Sequence, residues 1–231
     1  MPSLDALAGF LDAYFQAENY SDDTNGIFLA GKRAVSRLGL ALEPTPDAYA
    51  QLEALECDAL FLHRPWQLDG SRLPADMGVL AYHLPFDDML TLGYNPRLAA
   101  VLSLGEVEEL GYKEGRRIGM VGTVRETSFA AAADSVKEVF GGLEREHPGG
   151  DLITRVAVVG ALNEKLLTEA HARGVGFYVT GQWRAHAEAA VAQTGVGVVT
   201  VGHARSEVWG LNALAHLLME RFAGLEAFVI T

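Results

Sequence analysis

Cysteine is almost missing from these 231 residues: Cys57 is the only one. A single thiol cannot close an internal disulfide or build a cysteine zinc cage. Its place just before an apolar run reads as a small core residue. Basic residues are also scarce, 18 Lys and Arg against 30 Asp and Glu, for a net charge of −12. Non-specific binding to a phosphate backbone needs a basic face, so nucleic acid is disfavoured as a partner. No stretch reaches the roughly 18 uninterrupted apolar residues of a membrane helix. The start, Met1-Pro2-Ser3-Leu4-Asp5, has neither the charged n-region nor the apolar h-region of a secretory leader. These absences predict a cytoplasmic chain with no membrane partner. A Walker loop is missing, as is a G-x-G-x-x-G opening a helix, so the common nucleotide cradles have no motif behind them.

What is present is a β-α-β rhythm. Leu4, Leu7, Phe10, Leu11, Tyr14 and Phe15 lie on one helical face behind Ser3, a candidate N-cap. Residues 21–26 break that pattern as a turn, and Asn25-Gly26 reads as a position needing positive φ. A strand over 35–41, a helix opening at Thr45-Pro46, and a strand over 58–62 make a β-α-β unit, which predicts parallel strands. Another strand covers 78–82, Asn95-Pro96 starts a helix, and Ser128 caps one running to Phe140. Residues 105–117 are charged and punctuated by glycine, which reads as a connector, and 141–151 read as a linker. A second series follows: a strand over 156–160, a helix capped by Asn163, a strand over 176–180, an alanine-rich helix over 184–193, a strand over 197–201 and a final long helix. The expected fold is α/β, with mostly parallel β-α-β sheets and helices packed on their faces. The expected division is an N-terminal lobe over 1–105, a connector with a short strand and helix over 106–151, and a C-terminal segment over 152–231.

Three of these strands run straight into a histidine: His63, His83 and His203. Asp87 follows His83 by four residues, and Glu207 follows His203 by four. In open α/β sheets ligands collect at the carboxyl ends of strands. Imidazoles with carboxylates form an oxygen-and-nitrogen donor set suited to Fe, Mn or Zn. A single histidine after a strand is commonly a hydrogen-bonded turn residue, and the recurrence is what points to a shared ion. His147, His171 and His216 read as solvated or structural. Trp66 and Trp209 each follow a ligand candidate and either wall a site or pack the core.

The same residues resemble the GTP cyclohydrolase 1 type 2 homologues, also called NIF-three-like proteins, along most of the chain. Phe61-Leu62-His63-Arg64-Pro65 resembles that family's His-His-Pro motif, and His83-Leu84-Pro85-Phe86-Asp87 its His-Thr-Asn-x-Asp motif. Tyr178-Val179-Thr180-Gly181 is similar to its Thr-Gly-Asp/Glu strand end. Gly202-His203 with Ser206-Glu207 matches its Gly-His-x-x-Ser/Thr-Glu motif, the most specific of the set. The resemblance implies a two-lobed fold, a homo-oligomer that is often a ring-shaped hexamer, and a paired metal site facing the interior. The ligands it carries over are His63, Asp87, His203 and Glu207; in a hydrolase built on them, His83 is expected to be a proton carrier or an orienting group. It also gives His186 a place near the site.

Two positions depart from the pattern. Arg64 replaces the second histidine, and Gln182 replaces the acidic residue after Thr-Gly. Arginine stays protonated and cannot ligate a metal. Two unit charges at about 4 Å repel by roughly 4 kcal/mol at an effective dielectric near 20, and a dication doubles that. The expectation is therefore at most one divalent ion per subunit: either the Arg64 guanidinium points away and one metal remains, or it replaces a metal as the local cation, pairing with Asp87 or Glu207 or gripping a carboxylate or phosphate on a small-molecule substrate. Two readings stay open: a metal-dependent hydrolase acting on a small polar or nucleotide-like molecule, or a metal-poor relative that serves as a binding or assembly protein.

Overall fold

Ser3 begins the first helix, its hydroxyl accepting from the Ala6 N–H at 3.1 Å. That bond satisfies one of the free donors of a helix start. The helix, α1 (Leu4–Phe15), buries Leu4, Leu7, Ala8, Leu11 and Phe15, the stripe expected at helical spacing. A computed structural model describes residues 1–231, and the chain divides into two compact units, Met1–Phe86 with Gly210–Thr231, and Asp87–Trp209.

In the first unit β1 (Asn25–Leu29), β2 (Arg37–Ala41), β3 (Ala59–Leu62) and β4 (Gly78–Tyr82) surround helix α2 (Pro46–Ala54) in sequence. Thr45 caps α2 and Pro46 opens it, where its missing N–H has no cost. β3 and β4 are buried at every position, as strands covered on both faces must be. Leu60, Leu62 and Val79 pack with Tyr49, Leu52 and Cys57 on the α2 side. Phe61 stacks on Tyr82, whose hydroxyl donates to Asp12 at 2.7 Å. Cys57 is buried, the small core residue expected, and burial pushes its thiol up to about 11.

The second unit begins within α3 (Leu84–Leu90) and continues through α4 (Pro96–Val101), β5 (Gly105–Glu109), the small hairpin β6 (Tyr112–Lys113) and β7 (Arg116–Arg117), and β8 (Gly119–Thr127). It then runs through α5 (Phe129–Phe140), β9 (Arg145–His147), β10 (Ile153–Ala161), α6 (Glu164–Ala172), β11 (Phe177–Gln182), α7 (Glu188–Thr194) and β12 (Gly197–Thr200). The long α8 (His203–Arg221) passes back to the first unit, where β13 (Glu226–Val229) ends the chain.

The first sheet has the order β1-β4-β3-β2-β13, parallel except for the β1–β4 pair. The second has the order β5-β8-β10-β11-β12-β9, with a parallel centre of β10, β11 and β12 and antiparallel strands outside it. Alternation along β10 sends Val156 and Val158 to the α5 side, and Ala157 and Val159 to the α6 and α7 side. Each wholly buried aliphatic or aromatic side chain contributes roughly 1.5–3 kcal/mol against exposure.

The observed units differ from the division at 105 and 151. Residues 106–151 are no connector: they supply most of β5, with β8, α5 and β9, to the second sheet and its cover. β5 reads as polar because it is an edge strand carrying Glu106, Glu108 and Glu109, a charged edge of the kind that deters stray pairing. The final strand returns to the first sheet because β2 leaves one side open to a parallel partner. The alanine-rich segment is a 3-10 turn over Ala185–Ala187 followed by α7.

Candidate metal centre

Register decides where the first two histidines stand. Leu62 pairs with Ala81 across β3 and β4, so His63 and Tyr82 follow as neighbours at the carboxyl end of the sheet. His63 has no exposed surface. Its N–H reaches the Ala41 carbonyl at 3.2 Å, and its ring lies 4.7 Å from that of Phe86. Its Nδ1 is 3.2 Å from the Tyr82 carbonyl. A carbonyl only accepts, so Nδ1 carries the proton and Nε2 bears the lone pair a metal needs.

His83 stands one residue past β4, its ring centroid 5.1 Å from that of His63. Asp23 holds it: Oδ1 lies 3.0 Å from His83 Nδ1, while Oδ2 accepts the Leu84 N–H at 2.6 Å. The His83 N–H points to Asn25 Oδ1 at 3.4 Å. Trp66, with 55% of its surface exposed, meets the His83 ring edge-on at 4.9 Å. One turn beyond His83 on α3 is Asp87. His63, His83 and Asp87 can each offer one ligand atom, all within 4.8 Å of one another. His83 is thus close enough to ligate, a place the sequence had assigned to others.

In the second unit, His203 and Glu207 are brought together by a different route. Gly202 takes φ +98°, the left-handed turn that ends the β12 segment, and α8 starts at the next residue. One helical turn sets His203 Nε2 at 3.1 Å from Glu207 Oε1. The Glu207 side chain is 1% exposed and the His203 side chain 63%. Ser206, the small residue between them in the motif, donates its hydroxyl to the His203 carbonyl at 2.7 Å.

Arg64 donates from Nε to Glu43 at 2.8 Å. Gln182 ends β11 with its side chain exposed. His186, His171 and His216 are exposed, while Trp209 packs its ring 6.0 Å from Phe140 in the second core. Asp23 is the participant that sequence reasoning passed over. It lay in a polar stretch that reads as a plain turn, and nothing local marks it as facing a residue 60 positions later.

Class follows from this geometry: a two-sheet α/β protein with histidines at the carboxyl ends of parallel strands and carboxylates on the helices behind them. The profile of the Duf34/NIF3 (NGG1p interacting factor 3) family matches residues 2–231, and the chain belongs to that family. It is 27% identical to a GTP cyclohydrolase 1 type 2 homolog of Deinococcus radiodurans, over 94% of this chain and 89% of that one. It is 28% identical to the homolog of Pyrococcus abyssi, over 96% of each. Among solved structures, TTHA1606 from Thermus thermophilus superposes with a TM-score of 0.76 at 24% identity, covering 100% of this chain and 98% of that one. Protein ybgI, titled as of unknown function, superposes with a TM-score of 0.79 at 20% identity, covering 99% and 98%. At those identities the two structures establish the fold.

Proposed function

We propose that this chain is a metal-dependent hydrolase acting on a small polar or nucleotide-like molecule, with one divalent ion per subunit held by His63, His83 and Asp87. The observation that supports it is the approach of three donors to within 4.8 Å around a buried imidazole. The donor chemistry fits an ion. His63 has its Nδ1 engaged by a carbonyl, His83 has its Nδ1 engaged by a carboxylate, and a second carboxylate completes the group. Two nitrogens and an oxygen suit Fe, Mn or Zn rather than Ca or Mg. By family resemblance, His203 and Glu207 join the ligand set. An ion held there supplies Lewis acidity, polarising a substrate oxygen and acidifying water. Trp66 offers an exposed aromatic wall beside the imidazoles for a planar substrate. Arg64, at the position of the missing second histidine, is the cation that binds a substrate carboxylate or phosphate and limits the centre to one ion. The same resemblance supports assembly as a ring-shaped homo-oligomer.

Elemental analysis after purification without chelator, then equilibrium dialysis against Mn, Fe or Zn, tests this reading. About one equivalent per subunit is expected, with loss in His63→Ala, Asp87→Asn and His203→Ala. An ion at 100 times its Kd stabilises the fold by about 2.7 kcal/mol, or roughly 5–11 °C in Tm. Two tight equivalents overturn the one-ion claim. Turnover of a panel of small amides and nucleotides, with and without the ion, tests hydrolysis. Arg64 and Gln182 favour the second reading, a metal-poor binding or assembly protein. A chain that binds none of the three ions and gains no stability from them supports that reading.

A further inference from the structure

We infer that Asp23 is the positioning residue of this centre, selecting which nitrogen of His83 carries the proton. Resting on the metal reading above, the inference starts from the two oxygens of one carboxylate. Oδ2 is committed to the Leu84 N–H at 2.6 Å, the first residue of α3, and Oδ1 faces His83 Nδ1 at 3.0 Å. An ionised carboxylate accepts and cannot donate. His83 must therefore place its proton on Nδ1, and its lone pair falls on Nε2. The ring also has aromatic neighbours, Trp66 at 4.9 Å and His63 at 5.1 Å, and neither offers its Nδ1 the acceptor that Asp23 does. The Asp23 side chain is 11% exposed and that of His83 is 23%, which limits competition from water for the Nδ1 proton.

The chain also links this contact to α3. One carboxylate binds both the imidazole and the N–H at the head of the helix that carries Asp87. Asp23 thereby ties two of the three candidate donors to one point in the loop before β1. His63 has its own acceptor in the Tyr82 carbonyl, so the two imidazoles reach the same protonation pattern through unlike partners.

The test is Asp23→Asn, which keeps an oxygen for the Leu84 N–H. Its amide nitrogen then faces His83 Nδ1 and donates to it. The proton of a neutral His83 is driven to Nε2, and the lone pair turns away from the ion. Long-range ¹H–¹⁵N spectra of the metal-free protein, taken at alkaline pH, read the tautomer of the neutral imidazole directly. The Nδ1–H form is expected in the parent chain and the Nε2–H form in Asp23→Asn. Affinity for Mn or Zn is expected to fall 10–100-fold in the variant, the usual effect of losing an outer partner of a ligating histidine. His83→Ala in parallel sets the size of the effect when the imidazole is absent, and thermal unfolding confirms that both variants are folded. An Nε2–H tautomer in the parent, or an unchanged tautomer in a folded Asp23→Asn, overturns the inference. If the parent chain binds no metal yet shows the tautomer reversal, the metal reading fails while the role of Asp23 stands.

Discussion

His63 and His203 each stand just past the carboxyl end of a parallel strand, yet His63 has no exposed surface while the His203 side chain is 63% exposed. In the first unit the imidazoles are locked from behind. His63 donates to a backbone carbonyl, His83 leans on Asp23, and Phe86 and Trp66 flank the rings. In the second unit the carboxylate is the buried partner, and the histidine reaches it from the surface by helical spacing alone. A side chain ordered by folding adds little further ordering entropy when it binds a ligand. An exposed one loses roughly 0.5–1.5 kcal/mol of rotamer freedom at that moment. On the metal reading, the first unit would supply pre-set donors, and His203 would be an adjustable one.

Replacing His63 is the sharpest way to break that contrast. His63→Ala leaves a hole beside Phe86 and strands the Tyr82 carbonyl. A loss of about 2–4 kcal/mol is expected, read as a fall in Tm of roughly 4–16 °C in metal-free protein. A variant as stable as the parent would show that the first unit is no more rigid than the second.

The amino end of the same sheet provides the next largest effect. Asp58 accepts from the Ser36 N–H at 2.9 Å, the Ser36 hydroxyl at 2.6 Å and the Arg37 N–H at 3.0 Å. Burial raises its pKa, but these bonds outweigh burial and hold the carboxyl below the usual carboxylate range. A depressed pKa stabilises the fold fully above the unfolded-state value and loses that contribution as pH falls through the folded value. Asp58→Ala is expected to lose about 1–3 kcal/mol at pH 7. Urea unfolding across pH should show the gap between variant and parent narrowing only under strong acid. A gap that stays constant down to about pH 2 would remove the ionised carboxylate from the explanation.

In the second unit the turn before His203 is the sensitive point. Gly202 lies at φ +98°, and a Cβ there would run into the Glu144 side chain. Gly202→Ala is expected to lose about 1–2 kcal/mol in chemical denaturation. It should also displace the start of α8 and weaken metal binding if His203 is a ligand.

His203→Ala sharpens the comparison by its small effect. The side chain is mostly exposed, so thermal stability of the metal-free chain should change by less than about 0.5 kcal/mol. A loss above about 2 kcal/mol would show that His203 is as firmly built in as His63. The contrast with His63→Ala, measured in one calorimetric series, is the direct check on the pre-set and adjustable roles.

Much of the fold was legible because its signals are local. Ser3, Asn95, Ser128 and Asn163 each accept from a backbone N–H two or three residues ahead, as their positions predicted. The buried strands β3, β4 and β12 announced themselves as apolar runs. The misses have a common cause. β5 resembled a loop because an edge strand carries acids outward, α3 was hidden by Pro85 and two aspartates, and β13 is a four-residue strand placed by a partner far away in the chain. The His203–Glu207 pair was readable because one helical turn relates the two residues.

Pattern and spacing along the chain determined the β-α-β rhythm, the capped helices and the histidines at strand ends, since each depends on neighbours within about one turn or one strand. Folding in three dimensions alone decided that Asp23 grips His83, that Tyr82 presents its carbonyl to His63, and that residues 226–229 rejoin the first sheet. Those contacts arise from strand register and chain return, which no short-range preference encodes.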